Sequence, residues 1–181
     1  MSSFIIKFLK NIEKLKEVKR SGWMKAGVKN PESVAEHVYG VTVLSMLISD
    51  LKNLNAEKML RLAVIHDLEE TVLGDLTPEE KKKIVNLNAA ENKAIKKVLS
   101  SLPFDLKRKY YKLWLDYKNG LSKEAKLIKE LDKLEMVFQA LIYEEKFNLN
   151  LEEFWETCEN ELKSFKKILN ELKHARIFKQ S

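Results

Sequence analysis

The sequence predicts an all-α fold: a compact single-domain helical bundle of six to seven helices over residues 1–181. Three observations predict it. Apolar residues recur every three or four positions through almost the whole chain, which is the period of a helix face. Only 5 glycines and 3 prolines occur in 181 residues, too few turn formers for the many short connections of an all-β fold. Cap residues stand where the apolar runs begin and end.

Taken in order, residues 4–19 read as an amphipathic helix with Phe4, Phe8, Ile12 and Leu15 on one face. Residues 20–30, RSGWMKAGVKN, read as a loop. Asn30 is the expected N-cap of the next helix, with Pro31 at its first position. That helix runs to about residue 51 and is apolar almost all round (Val34, Val38, Val41, Leu44, Ile48), so it should be central. Asn55 opens another, which the pattern carries unbroken to about residue 73, where Gly74 stops it. Thr77-Pro78-Glu79-Glu80 has the form of a capping box and starts a charged helix reaching about residue 101. A helix over 103–117 ends at Asn119-Gly120. Ser122 starts a long helix to about residue 146 with Leu127, Ile128, Leu131, Leu134, Phe138 and Leu141 as its inner stripe. The last helix covers about 151–173, and its Phe154, Trp155 and Phe165 read as packing residues.

Composition narrows the class further. Apolar residues are 45% and charged residues 33%, as in globular domains. No segment is expected to be long and apolar enough to span a bilayer, and the N-terminal MSSFIIKFLK reads as a helix rather than a leader. A membrane partner is therefore not expected. Cys158 is the lone cysteine, so no internal disulfide forms, and a cytoplasmic setting is expected. Lys and Arg (33) exceed Asp and Glu (27), giving a net charge of +6. The lysines alternate with glutamates at helical spacing, as in LSKEAKLIKELDKLE. The surplus therefore reads as a solvated helix surface, without a nucleic acid partner.

The chemistry lies with the histidines, of which there are 3. His37 and His66 stand in apolar helical runs, where an imidazole is costly unless paired or bound to a metal. Asp67 follows His66, and Glu70, four residues beyond His66, shares its helix face. Residues 66–80 hold Asp67, Glu69, Glu70, Asp75, Glu79 and Glu80 without a Lys or Arg, a field that attracts cations. Asp132 sits beside the inner stripe of the long helix, where a carboxylate needs a partner. Taken singly, each has a plainer reading: a satisfied core histidine, or an aspartate paired with lysine. Together, two imidazoles and two carboxylates make a set suited to Mn²⁺, Co²⁺, Fe²⁺, Ni²⁺ or Zn²⁺ rather than Ca²⁺. Such an ion lowers the pKa of bound water and neutralises phosphate charge. His174 is the one histidine left and lies near the C-terminus, so a single ion is expected. Residues 18–31 hold Lys19, Arg20, Lys25 and Lys29 and no acid. Arginine suits phosphate because its planar fork donates two parallel hydrogen bonds. Arg20 could equally be a surface residue, and Trp23 a packing residue between helices.

The segments RSGW (20–23), PESVAEH (31–37), HDLEETVLGDLTPEE (66–80) and LDKLEM (131–136) resemble the signature of the HD-domain phosphohydrolase superfamily, in its 5′-deoxynucleotidase branch. The resemblance spans about residues 15–145. It implies that His37, His66, Asp67 and Asp132 ligate one divalent metal ion, with Glu70 and Asp75 handling water and protons. It also implies that Arg20 orients the phosphate, that Trp23 packs near the sugar and excludes a 2′-hydroxyl, and that Asp75, Leu76, Thr77 and Pro78 line the nucleotide pocket. His37, Asp67 and Asp132 would then face the substrate as well. The implied activity is hydrolysis of (deoxy)nucleoside 5′-monophosphates to nucleoside and phosphate by a homodimer. Ser21 and Gly22 separate Arg20 from Trp23, whereas in some bacterial members the two are adjacent. Thr71 after Glu70 counts against a guanosine-tetraphosphate hydrolase, whose motif has Asp there. The alternatives are another phosphodiesterase or nucleoside-triphosphate hydrolase of the superfamily, or a non-catalytic helical module that binds nucleic acid.

Overall fold

The computed structural model describes residues 2–180; the ends of the predicted span, residues 1 and 181, lie outside them. The described residues form α-helices and two 3₁₀ turns without a strand, so the expected all-α class holds. The helices are α1 (Ser2–Glu13), α2 (Ser21–Lys25), α3 (Val34–Leu51), α4 (Ala56–Ile65), α5 (Glu70–Leu73), α6 (Pro78–Lys83), α7 (Leu87–Val98), α8 (Phe104–Asn119), α9 (Lys123–Phe147), α10 (Glu152–Glu161) and α11 (Lys166–Gln180). The count exceeds the expected six to seven because several predicted helices are interrupted, each for a local reason.

The expected 20–30 loop contains α2. The N-cap of α3 is Ser33, not Asn30. The Ser33 side chain accepts from the Glu36 N–H, and Glu36 accepts from the Ser33 N–H at 2.6 Å. This capping box satisfies two helix-end donors at once. Asn30 instead adopts a left-handed φ of 56° in the preceding turn. The predicted 55–73 helix breaks after Ile65. His66 turns its Nδ1 onto the Ala63 carbonyl at 2.6 Å, and residues 66–69 tighten into turns such as Leu68 N–H to Ile65 O. Further on, Asn86 caps α7 by accepting from the Ala89 N–H, so the predicted 77–101 helix is divided. The last helix divides at 162–165, where Glu130 of α9 accepts from the N–H groups of Lys163 and Ser164. Gly74 and Gly120 close α5 and α8 with positive φ, as their positions require.

Two apolar clusters hold the bundle. One lies among α3, α4, α9, α10 and α11 and includes Val41, Leu62, Ile128, Leu131, Val137 and Trp155. The other joins Leu15 and Val34 to Ile95, Leu99 and Trp114. Each such aliphatic side chain contributes roughly 1.5–3 kcal/mol by leaving water. Phe138, expected on the inner stripe of α9, is instead 50% exposed. By length and composition α3 is apolar enough to cross a membrane, which corrects the expectation that no segment is. In the bundle it packs against α4 and α9 and buries His37, Ser45 and Ser49.

Candidate active site

Three elements bring four side chains to one place. His37 lies in the first turns of α3, positioned by the Ser33 cap. His66 and Asp67 lie in the turn where α4 ends. Asp132 is in the middle of α9, directly after buried Leu131. Both imidazoles are fully buried. His37 Nε2 stands 3.1 Å from Asp132 Oδ1 and 3.8 Å from Asp67 Oδ2, while His66 Nε2 is 3.0 Å from the same Asp67 oxygen. Ligand atoms of His37, His66 and Asp132 lie within 4.8 Å of one another. Neither Nε2 makes a hydrogen bond of good geometry. Two buried, unpartnered ring nitrogens facing two carboxylates fit a divalent ion well.

The charges of the cluster depend on one another. Burial and the Arg20 charge act against a proton on His37, but the adjacent Asp132 and Glu135 carboxylates push its pKa up to about 9. Burial opposes ionisation of Asp67, yet the His66 and His37 charges hold it down to about 2. Asp132 is likewise depressed, against its burial, by Lys133 and His37. Glu70, at the start of α5, is pushed well above the ordinary carboxylate range by burial and by Asp67 and Asp75. Its Oε2 is buried without a hydrogen-bond partner. Such a carboxyl is suited to taking up and releasing a proton.

Asp67 and Asp132 of this cluster floor a cleft of about 910 Å³, with the two buried imidazoles beneath them, and Arg20, Glu70, Leu76, Thr77, Pro78 and Phe154 help to line it. The acid-rich 66–80 stretch and the basic 18–31 stretch meet at its edge. Lys25 Nζ donates to Thr77 Oγ1 at 2.7 Å and lies 3.5 Å from Glu79 and Glu80. Asp75 Oδ2 accepts from the N–H and hydroxyl of Ser21 at 2.5 and 2.7 Å. Its other oxygen lies 4.0 Å from Arg20 Nε. The visible work of Asp75 is thus to fix the start of α2 and with it Arg20. Lys129 and Lys133 add positive charge to the rim.

Trp23 lines the cleft but is 1% exposed. It stacks on Phe154 at 4.2 Å, meets Tyr143 edge-on at 5.4 Å, and donates Nε1–H to Glu32 at 2.9 Å. Most of its ring is therefore wall, with only an edge toward the cleft. Phe154 joins this wall, while Trp155 and Phe165 pack in the core as expected. Trp114 is also core, with its Nε1–H donated to Glu69 at 2.7 Å. His174 is exposed and is not among the grouped ligand atoms of His37, His66 and Asp132.

Sequence reasoning missed two neighbours of the site. Glu135 lies 2.5 Å from His37 Nδ1; standing three residues after Asp132, it shares that residue's helix face, a signal that was present. Tyr117 presents its ring to His66 at 5.3 Å, and no local pattern marks it.

A helical bundle that turns two imidazoles and two carboxylates onto one point beneath a basic rim defines a class: helical domains suited to hold a divalent ion beside an anionic substrate. Comparison with known proteins narrows this. The HD domain family model matches residues 12–173, and the chain belongs to that family. The 5′-deoxynucleotidase HDDC2 of Homo sapiens is 38% identical over 141 residues, covering 78% of this chain and 69% of that relative. The 5′-deoxynucleotidase hdd1 of Schizosaccharomyces pombe is 36% identical over 148 residues, covering 80% and 74%. The crystal structure of the PH0347 protein from Pyrococcus horikoshii OT3 matches with a TM-score of 0.81 and 32% identity, covering 92% of this chain and 97% of that one.

Proposed function

We propose that the protein is a metal-dependent 5′-nucleotidase that hydrolyses deoxynucleoside 5′-monophosphates to nucleoside and orthophosphate. The observation that carries this reading is the pair of buried, unpartnered Nε2 atoms of His37 and His66 facing Asp67 and Asp132. These four residues would hold one divalent ion, Co²⁺, Mn²⁺ or another transition metal. When bound, the ion supplies positive charge that neutralises the phosphate and acidifies water.

The chain's own residues supply the rest. Arg20 binds phosphate oxygens through its guanidinium fork, held in place by Asp75. Glu70 takes the proton of the attacking water and passes it toward the departing 5′-oxygen as the phosphorus–oxygen bond breaks. The edge of Trp23, with Leu76, Thr77 and Pro78, forms the wall that receives the sugar. The named activity of the relatives, 5′-deoxynucleotidase, supports this choice among phosphate esters. Tyr39, Val43, Met46, Leu47 and Leu51 form an exposed stripe along one face of α3, which we assign to a second copy of the chain. The buried free thiol of Cys158 fits a cytoplasmic setting.

The test is phosphate release from a panel of nucleoside mono-, di- and triphosphates and phosphodiesters, with Co²⁺ or Mn²⁺ added and then chelated. Release of nucleoside and orthophosphate from deoxynucleoside monophosphates, lost with chelator, is the expected outcome. Turnover of a diester or triphosphate alone would overturn the substrate; chelator-resistant turnover would overturn the metal. Leu47→Glu should leave monomers in light scattering if the stripe is a subunit interface.

A further inference from the structure

Only one nitrogen of His37, Nε2, faces Asp67 and Asp132. The other, Nδ1, lies 2.5 Å from Oε2 of Glu135, one turn beyond Asp132 on α9. The Glu135 carboxylate reaches the ring by passing over Gly40, which lies one turn beyond His37 on α3. A β-carbon added at Gly40 would stand 2.6 Å from Glu135 Oε1, 3.0 Å from its Cγ and 3.1 Å from its Cδ. Glycine is less favourable than alanine inside a helix. Gly40 is also absent from the positive-φ residues, so its backbone does not require glycine. Space for Glu135 is the reason that remains.

The geometry points to Glu135 as a positioning residue of the metal site, with Gly40 as the gap that lets it reach His37. The inference rests on the metal reading above. A carboxylate that accepts the Nδ1–H leaves the lone pair on Nε2, aims the ring, and makes it a better ligand. Without it, the ring is free to carry its proton on Nε2, which turns a hydrogen toward the place of the ion. The back of the ring is closed by a second carboxylate. Oxygens of Glu32 and Glu135 and a nitrogen of His37 lie within 4.8 Å of one another. Glu32 is tethered in turn by Trp23 Nε1 at 2.9 Å. A continuous line of contacts therefore leads from the cleft wall to the rear of the imidazole, and Glu135 is the member that touches the ring.

The test is calorimetric titration of the metal-stripped full-length protein with Mn²⁺ or Co²⁺. Glu135→Ala should weaken binding about 10–100-fold. Gly40→Ala should weaken it too, although every ligand remains. In the Glu135→Ala background, Gly40→Ala should add almost nothing, because its effect passes through Glu135. In the Zn²⁺-loaded protein, nitrogen-15 NMR should show a slowly exchanging proton on His37 Nδ1 that Glu135→Ala loses. Should Glu135→Ala fail to fold by circular dichroism, Glu135→Gln keeps the volume, and its intermediate affinity is the expected result. Parent-like binding by either Glu135 variant, or equal losses from Gly40→Ala in both backgrounds, would overturn the inference alone. A parent protein that binds no ion would overturn the proposed function with it.

Discussion

The floor and the rim of the cleft contrast in how their side chains are held. His37, His66, Asp67 and Asp132 come from elements whose other faces fill the core, and the two rings are wholly buried. Lys25, Lys118 and Lys129 at the rim are long and partly exposed. Each is tied by a side-chain or end-of-helix contact: Lys25 to Thr77, Lys118 to Glu91, and Lys129 to the Lys118 carbonyl. Floor positions inherit their precision from packing, so a small displacement there breaks several contacts together. Rim positions are set by flexible stems and solvent-screened charge, so they tune affinity rather than decide it.

The largest effect that would sharpen this contrast is at the floor. Asp67→Ala or His66→Ala should abolish ion binding in elemental analysis and lower phosphate release by about 10³-fold or more. Glu70→Gln should keep the ion and lower kcat by about 10²–10⁴-fold, since the amide cannot accept the proton. Retained turnover in that variant would remove Glu70 from the chemistry. Arg20→Ala, at the junction of floor and rim, should cost about 10–100-fold in kcat/KM. A loss confined to kcat would show that Arg20 acts only in the transition state.

A smaller effect follows from the proton on His37. Its folded pKa, about 9, lies above the ordinary 6.5. A group raised on folding stabilises fully below its unfolded value and loses that contribution as pH rises through its folded value. The ion-free protein should therefore melt at progressively lower temperature between pH 6.5 and 9. Saturating metal should remove that decline, because the ion takes the place of the proton. An unchanged melting temperature across the window in the ion-free protein would count against this. Ser33→Ala should destabilise by about 1 kcal/mol through loss of the α3 cap, read by chemical denaturation. Lys129→Ala should be smallest, with stability changed by about 0.5 kcal/mol or less and only KM affected. A rim lysine whose loss rivalled Asp67→Ala would break the contrast outright.

The sequence by itself determined the helical class, because the 3.6-residue repeat of apolar side chains is a local property. It also determined the residues that form the floor. A histidine or aspartate in an apolar run carries a desolvation cost that marks it wherever the chain then goes. The Thr77 box was legible because its two partners are three residues apart. The same local signal was present at Ser33 and Glu36 but lost to the competing pattern of Asn30 and Pro31. Only the tertiary structure decided that α4 stops where the His66 ring takes the Ala63 carbonyl, that Phe154 covers Trp23, and that Glu135 reaches His37 over Gly40. His37 and Glu135 are 98 positions apart. Contacts at such separation depend on how two helices cross, and one-dimensional periodicity carries no information about that angle.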